Sequence, residues 1–178
     1  MKRIVVTGAE STGKTTLAHQ LAQAYGAAWT PEYVRIYVDQ IGREIRDGDL
    51  DAIARGQIET EDAPLQEAPR IIIHDTNLLS TIIYTDHYFN RSLDWFDRCF
   101  GERDYALYLL CLPDIPWVAD AGQRESAEVR AFLHDRFKRE LIERKLPYVE
   151  IGGNENERLS RAKAAIDAKV PGVVTGPA

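Results

Sequence analysis

Ile4-Val5-Val6-Thr7-Gly8-Ala9-Glu10-Ser11-Thr12-Gly13-Lys14-Thr15-Thr16 is the stretch that decides the fold. Residues 4–6 are apolar and β-branched without alternation, the mark of a strand buried on both faces. They lead into a complete match to G-x-x-x-x-G-K-[ST] at residues 8–15. Residues 15–25 then carry Leu17, Leu21 and Ala24 at helical spacing. Each constrained position has a physical task. Gly8 and Gly13 let the backbone curl so that N–H groups from Glu10, Ser11 and Thr12 onward converge on one phosphate. Lys14 supplies a cation for the β- and γ-phosphates, Thr15 offers a hydroxyl to Mg²⁺, and the helix that follows turns its positive end to the anion. Four constrained positions would coincide by chance on the order of once in a hundred chains of this size, and here the flanking strand and helix also fit.

Working outward, strands and helices alternate. A short second strand is expected at residues 27–30, and helices at 32–46 and 50–66. Ile71, Ile72 and Ile73 form a third buried strand ending at His74-Asp75, and helices follow at 78–88 and 93–100. Residues 107–112 read as a fourth strand stopped by Pro113, 127–144 as a long amphipathic helix, 148–151 as a fifth strand and 155–169 as a last helix. Strands separated by helices predict a parallel sheet covered on both faces, with function at the carboxyl ends of the strands.

The chain has 178 residues, 44% apolar and 28% charged, with a net charge of −6. That length suits one domain, expected over residues 1–170 with a Gly- and Pro-containing tail at 171–178 that is poorly ordered. The acidic balance speaks against a nucleic-acid-binding surface, and no apolar run reaches the length of a membrane span. Cys99 and Cys111 lack metal-binding spacing and read as buried core thiols, so the chain is expected to be cytoplasmic. The four histidines show no ligand spacing, and Trp29, Trp95 and Trp117 read as packing anchors.

Three further groups carry chemistry. Asp75 ends the third strand beside the loop, where such a carboxylate holds Mg²⁺ through water; Asp75, Thr76 or Asn77 could instead cap the next helix. Residues 115–124 form a Pro- and Gly-containing lid, from which Arg124 would reach transition-state charge, with Arg130 or Arg136 as substitutes. Glu32, after the second strand, could orient an acceptor hydroxyl and take its proton, or simply complement a helix dipole. Arg35, one turn on, could bind substrate or pair with Glu32.

Taken in order, GAESTGKTT, PEYVR, Gln57 in the next helix, DTNLLST, YLLCLPDIPWVAD with an arginine after it, and the segment from Tyr148 to Arg158 resemble the ribosylnicotinamide kinase domain of NadR-type proteins. The resemblance covers residues 2–168 and corresponds to that kinase domain alone. It implies a P-loop kinase fold with a five-stranded parallel sheet in the order 2-3-1-4-5, helices on both faces and a lid. It further implies transfer of the ATP γ-phosphate to the 5′-hydroxyl of nicotinamide riboside. ATP and Mg²⁺ would engage the loop through Thr16, with Lys14 and Thr15 at the phosphates and cation. Asp75 would serve the metal and the hydroxyl, and Arg124 the lid. Glu32, Tyr33, Arg35 and Asn77 would face the acceptor, and Gly153 and Asn154 would lie near adenine. The chain carries Pro31 where family members place an aromatic residue before the glutamate, which leaves Tyr33, Tyr84 and Tyr88 as candidates to meet a cationic ring.

The sequence therefore points to an ATP- and Mg²⁺-dependent kinase acting on a small nucleoside-like partner. Its alternatives are a kinase for another nucleoside or nucleotide, and a nucleotide-binding regulatory module without an acceptor. The last is disfavoured by the lack of an N-K-x-D guanine-reading motif.

Overall fold

A computed structural model describes residues 1–116 and 126–173. Among these, the elements run β1 (Lys2–Thr7), α1 (Lys14–Tyr25), β2 (Ala28–Thr30), α2 (Tyr33–Ile41), α3 (Leu50–Asp62), β3 (Ile71–Asp75), α4 (Leu78–Phe89), α5 (Asp94–Gly101), β4 (Leu107–Cys111), α6 (Ala127–Glu143), β5 (Tyr148–Ile151) and α7 (Glu155–Lys169), with 3-10 turns at Asp47–Asp49 and Ala63–Glu67. The five strands are parallel in the order β2-β3-β1-β4-β5, the order implied by the resemblance.

Alternate residues of each strand feed two cores. Ile4, Val6, Ile73 and Leu109 meet α1 and α7 through Leu17, Leu21 and Ile166. On the other face Val5, Tyr108 and Leu110 meet α4, α5 and α6 through Ile83, Phe96 and Phe137. Every residue of β3 and β4 is buried, which is why these strands read as unbroken apolar runs. Each large side chain so buried contributes about 1.5–3 kcal/mol. The register pairs Val6 with Asp75, and the Thr76 N–H donates to Val6 O at 2.9 Å. The phosphate loop and Asp75 thus leave the sheet side by side.

Local chemistry sets several boundaries differently from the apolar pattern. α2 stops at Ile41 because Gly42 takes the left-handed conformation (φ 61°) and donates its N–H to Val38 O. That ends the helix before the expected residue 46. The expected helix at 50–66 ends at Asp62, and a 3-10 turn with Pro64 near its start takes over, since proline cannot donate into an α-helical ladder. Cys111 is buried as expected, whereas Cys99 is only half-buried. Trp29 stacks on His19 with ring centroids 4.1 Å apart, and Trp95 packs edge-on to Phe96. Trp117 and residues 174–178 of the expected tail lie outside the described residues. No helix among the described residues is long and apolar enough to cross a membrane.

One polar group interrupts the second core. Glu61 of α3 has no exposed surface. Its Oε1 accepts from Leu78 N at 2.8 Å and from Gln57 Nε2 at 3.2 Å, and its Oε2 accepts from Tyr105 Oη at 2.8 Å. Arg103 Nε lies 3.8 Å from Oε2. Gln57 in turn accepts from Tyr33 N at 3.3 Å. This chain of two side chains ties the start of α2 to the start of α4. Burial pushes the Glu61 carboxyl up to about 7, against the lowering pull of Tyr105, Gln57, Arg103 and the Leu78 N–H. The folded state therefore holds this proton more tightly than the unfolded chain. The resulting stabilisation is present below the ordinary value of 4.5 and is lost as pH rises through about 7. Between those values the unfolding free energy of the wild type should fall, relative to Glu61→Gln, by up to roughly 3 kcal/mol. Denaturant melts at a series of pH values check this; parallel profiles for the two proteins would contradict it.

Candidate active site

Gly8 leaves β1 at φ +134°, and a Cβ there would lie 2.9 Å from Cys111 O. Only glycine lets the loop pass this close to the end of β4. Ser11 (φ 52°) and Gly13 (φ 77°) complete the curl. The loop carbonyls are drawn toward the protein. Ala9 O accepts from Lys14 Nζ and from Thr12 Oγ1, each at 2.8 Å. Thr12 O accepts from Arg158 Nη1 at 3.0 Å, and Ser11 O from Arg130 Nη1 at 3.4 Å. A loop whose carbonyls face inward presents its N–H groups to the cleft, and α1 adds its positive end there.

Beside the loop, Thr15 Oγ1 donates to Asp75 Oδ2 at 2.6 Å. Asp75 Oδ1 is buried and without a hydrogen-bond partner. Burial raises the Asp75 carboxyl; the Thr15 bond lowers it, the Glu32 charge raises it further, and Lys14 and Arg35 oppose that rise. The next residue, Thr76, is buried with φ +63°, a strained conformation for a β-branched side chain. A hydroxyl joined to a carboxylate with one unsatisfied oxygen is a donor set that fits Mg²⁺, which takes one or two carboxylates and completes its shell with phosphate and water. Among the described residues no cluster of three His, Cys, Asp or Glu offers a self-sufficient metal cage.

The residues expected to face an acceptor include Glu32 and Arg35, which lie within electrostatic reach of Asp75. Glu32 occupies the N-cap position of α2 but makes no capping bond through its side chain; its Oε2 instead accepts from Arg35 Nε at 2.7 Å. Of the two readings of Arg35, the structure realises the ion pair. Glu10 is raised chiefly by burial, with Lys14 and Arg35 lowering it and Glu32 raising it. Glu10, Glu32, Asp75, Lys14 and Arg35 thus share one electrostatic environment. Asn77 is placed differently. It is fully buried, caps α4 by accepting from Leu79 N at 3.2 Å, and donates to Tyr108 Oη at 2.8 Å, so it presents no surface to the cleft. Tyr33 is half-buried at the start of α2.

Gly153 and Asn154 form the turn between β5 and α7. Gly153 N donates to Asp114 Oδ2 at 2.6 Å, and Asn154 caps α7 in a reciprocal box with Glu157. A cavity of about 240 Å³ opens between this turn and the loop, lined by Gly13, Thr16, Gln20, Ile115 and Arg158 among others. Arg158 organises its floor. It pairs with Asp114 and donates to Gly153 O at 2.7 Å and Leu112 O at 2.9 Å, in addition to its bond with the loop.

Arg124, expected in the lid, lies outside the described residues. Of its two substitutes, Arg130 donates to Ile115 O at 3.1 Å and Pro113 O at 3.2 Å, at the segment leading toward the lid. Arg136 pairs with Asp86 at 2.6 Å and belongs to the helical layer. The sequence marks Arg130 only as a substitute lid cation and Arg158 only as the end of a family-like segment; it gives no signal that either bonds the loop carbonyls.

Residues 3–158 match the AAA domain family. Among curated relatives, the chain is 29% identical over 126 residues to the trifunctional NAD biosynthesis/regulator protein NadR of Escherichia coli (strain K12), an alignment covering 67% of this chain and 30% of that protein. A crystal structure of NadR protein in complex with NAD and AMP-PNP superposes with a TM-score of 0.83 at 25% identity, over 99% of this chain and 51% of that one. A second, of NadR protein in complex with NR, gives 0.83 at 24% identity over 99% and 53%. The chain therefore spans about a third of the curated relative's length and about half of the solved ones. The curled loop, the 2-3-1-4-5 sheet and the family match over most of its length agree: this chain belongs to the AAA domain family and is a NadR-like domain of P-loop kinase fold.

Proposed function

We propose that this protein is an ATP- and Mg²⁺-dependent kinase that phosphorylates a nucleoside-like alcohol, first of all the 5′-hydroxyl of nicotinamide riboside, giving nicotinamide mononucleotide. The observation that carries this reading is the Thr15–Asp75 pair at 2.6 Å, set between an anion-binding loop and the Glu32–Arg35 pair. Phosphoryl transfer needs little from a protein beyond positioning and charge, and these residues supply both. Supporting the acceptor's identity, a NadR protein of the same fold has been crystallised with NR.

Lys14 would exchange its bond to Ala9 O for the β- and γ-phosphate oxygens of ATP. The loop N–H groups, facing away from their engaged carbonyls, would hold the remaining phosphate oxygens. Thr15 and Asp75 would hold Mg²⁺, which when bound neutralises charge across the β- and γ-phosphates. Glu32, bonded to Arg35, or Asp75 would align the hydroxyl and accept its proton. Arg124 would supply the lid's cation for the charge of the transition state.

Lys14→Ala should lower phosphorylation of nicotinamide riboside by labelled ATP roughly a hundredfold or more, with the fold intact by circular dichroism. Asp75→Asn should raise the Mg²⁺ concentration needed for half-maximal rate, read from the same assay across a magnesium series. Wild-type protein that transfers phosphate to no member of a nucleoside and nucleotide panel, while still hydrolysing ATP, would overturn the kinase reading in favour of a regulatory ATPase.

A further inference from the structure

Gly56 sits inside α3, where glycine weakens a helix relative to alanine. The space over it is taken. A Cβ on Gly56 would stand 2.0 Å from Tyr33 Cζ and 2.1 Å from Tyr33 Cε1. The ring of Tyr33 therefore lies directly on the bare backbone of α3. One residue on, Gln57 Oε1 accepts from the Tyr33 N–H at 3.3 Å, and Gln57 is itself held by the buried Glu61. Adjacent residues of α3 thus grip Tyr33 by its ring and by its backbone.

The grip matters because α2 has little else. None of its residues is fully buried. Its outer end is tied through Asp49, which accepts from Tyr37 Oη at 3.0 Å and from Arg43 at 2.7 and 2.8 Å. Its inner end is tied through Tyr33. With the outer end clamped, any shift of Tyr33 is passed to its neighbour Glu32, the N-cap residue, and to Arg35, whose guanidinium bonds Glu32.

We propose that Gly56 is a positioning residue for the acceptor side of the site: by carrying no side chain it seats the Tyr33 ring on α3, and through Tyr33 it fixes where the Glu32 carboxylate stands. This rests on the kinase reading above and adds to it the element that sets the acceptor geometry. It accounts for a glycine that the helix itself disfavours.

The test compares wild type, Gly56→Ala, Tyr33→Ala and the double variant, using the alcohol that wild type phosphorylates. ATP affinity is read separately by calorimetry with magnesium. Gly56→Ala should lose roughly ten- to a hundredfold in kcat/KM for the acceptor, mostly in kcat, since Glu32 acts on the hydroxyl. ATP affinity should not change, while the thermal midpoint should fall, because displacing the seated ring outweighs what alanine adds to the helix. In the Tyr33→Ala background, Gly56→Ala should cost nothing further, because the ring it displaces is gone. Acceptor kinetics unchanged by Gly56→Ala, or losses that multiply in the double variant, would overturn the inference while leaving the kinase reading standing. Should Gly56→Ala not fold, the double variant decides: folding like Tyr33→Ala supports the inference, and failure to fold refutes it. A wild type that phosphorylates no alcohol would sink both.

Discussion

The capture of the phosphate loop's carbonyl oxygens is the constraint on which the site depends. A loop this tightly curled brings several peptide dipoles together, and its use as an anion cradle requires the carbonyl ends to be satisfied elsewhere. Here Lys14 and Thr12 engage Ala9 O, while Arg158 and Arg130 reach Thr12 O and Ser11 O from α7 and α6. The two arginines do more than balance dipoles. Each also bonds carbonyls in the segment from Leu112 to Ile115, between β4 and the region that carries Arg124. The loop, the turn at Gly153 and the segment from Leu112 to Ile115 therefore form one hydrogen-bonded unit.

The side of the site that carries Glu32 and Arg35 is built by a different device. α2 leaves the sheet after β2 with no buried residue of its own, whereas the start of α4 sinks Leu78 and Leu79 into the second core. Glu61 provides the link from within the core, at the cost of burying a carboxyl whose affinity for its proton rises as a result. Breaking such a network leaves buried donors unpaired, which costs more than the network contributes when whole. The strained backbone at Thr76 directly follows Asp75, whose carboxylate accepts from Thr15.

Charge couples the two halves. Glu10 and Asp75 are each raised chiefly by burial, the Glu32 charge raises both further, and Lys14 and Arg35 oppose that rise. Such a cluster favours the arrival of cations and of a metal-bound polyphosphate over a free carboxylate. Pro31 stands where the family resemblance would place an aromatic residue before Glu32.

Much of this was legible in the chain itself. The β-branched runs of β1 and β3, the glycine and lysine spacing of the loop and the alternation of strand and helix specify a parallel sheet with its site at the carboxyl edge, because burial on both faces demands continuous apolar sequence and phosphate binding demands a fixed spacing. The pairing of Glu32 with Arg35 was readable too, from their separation of one helical turn. What the tertiary structure decided is which polar side chains are used up and by whom. Asn77 is spent on Tyr108 and the cap of α4, Arg130 and Arg158 on carbonyls far away in sequence, and Gly56 on a ring that belongs to another helix. Local sequence encodes what a residue can donate, accept or leave empty. Only the assembled fold determines which partner arrives, since that depends on packing distances between segments that no spacing along the chain records.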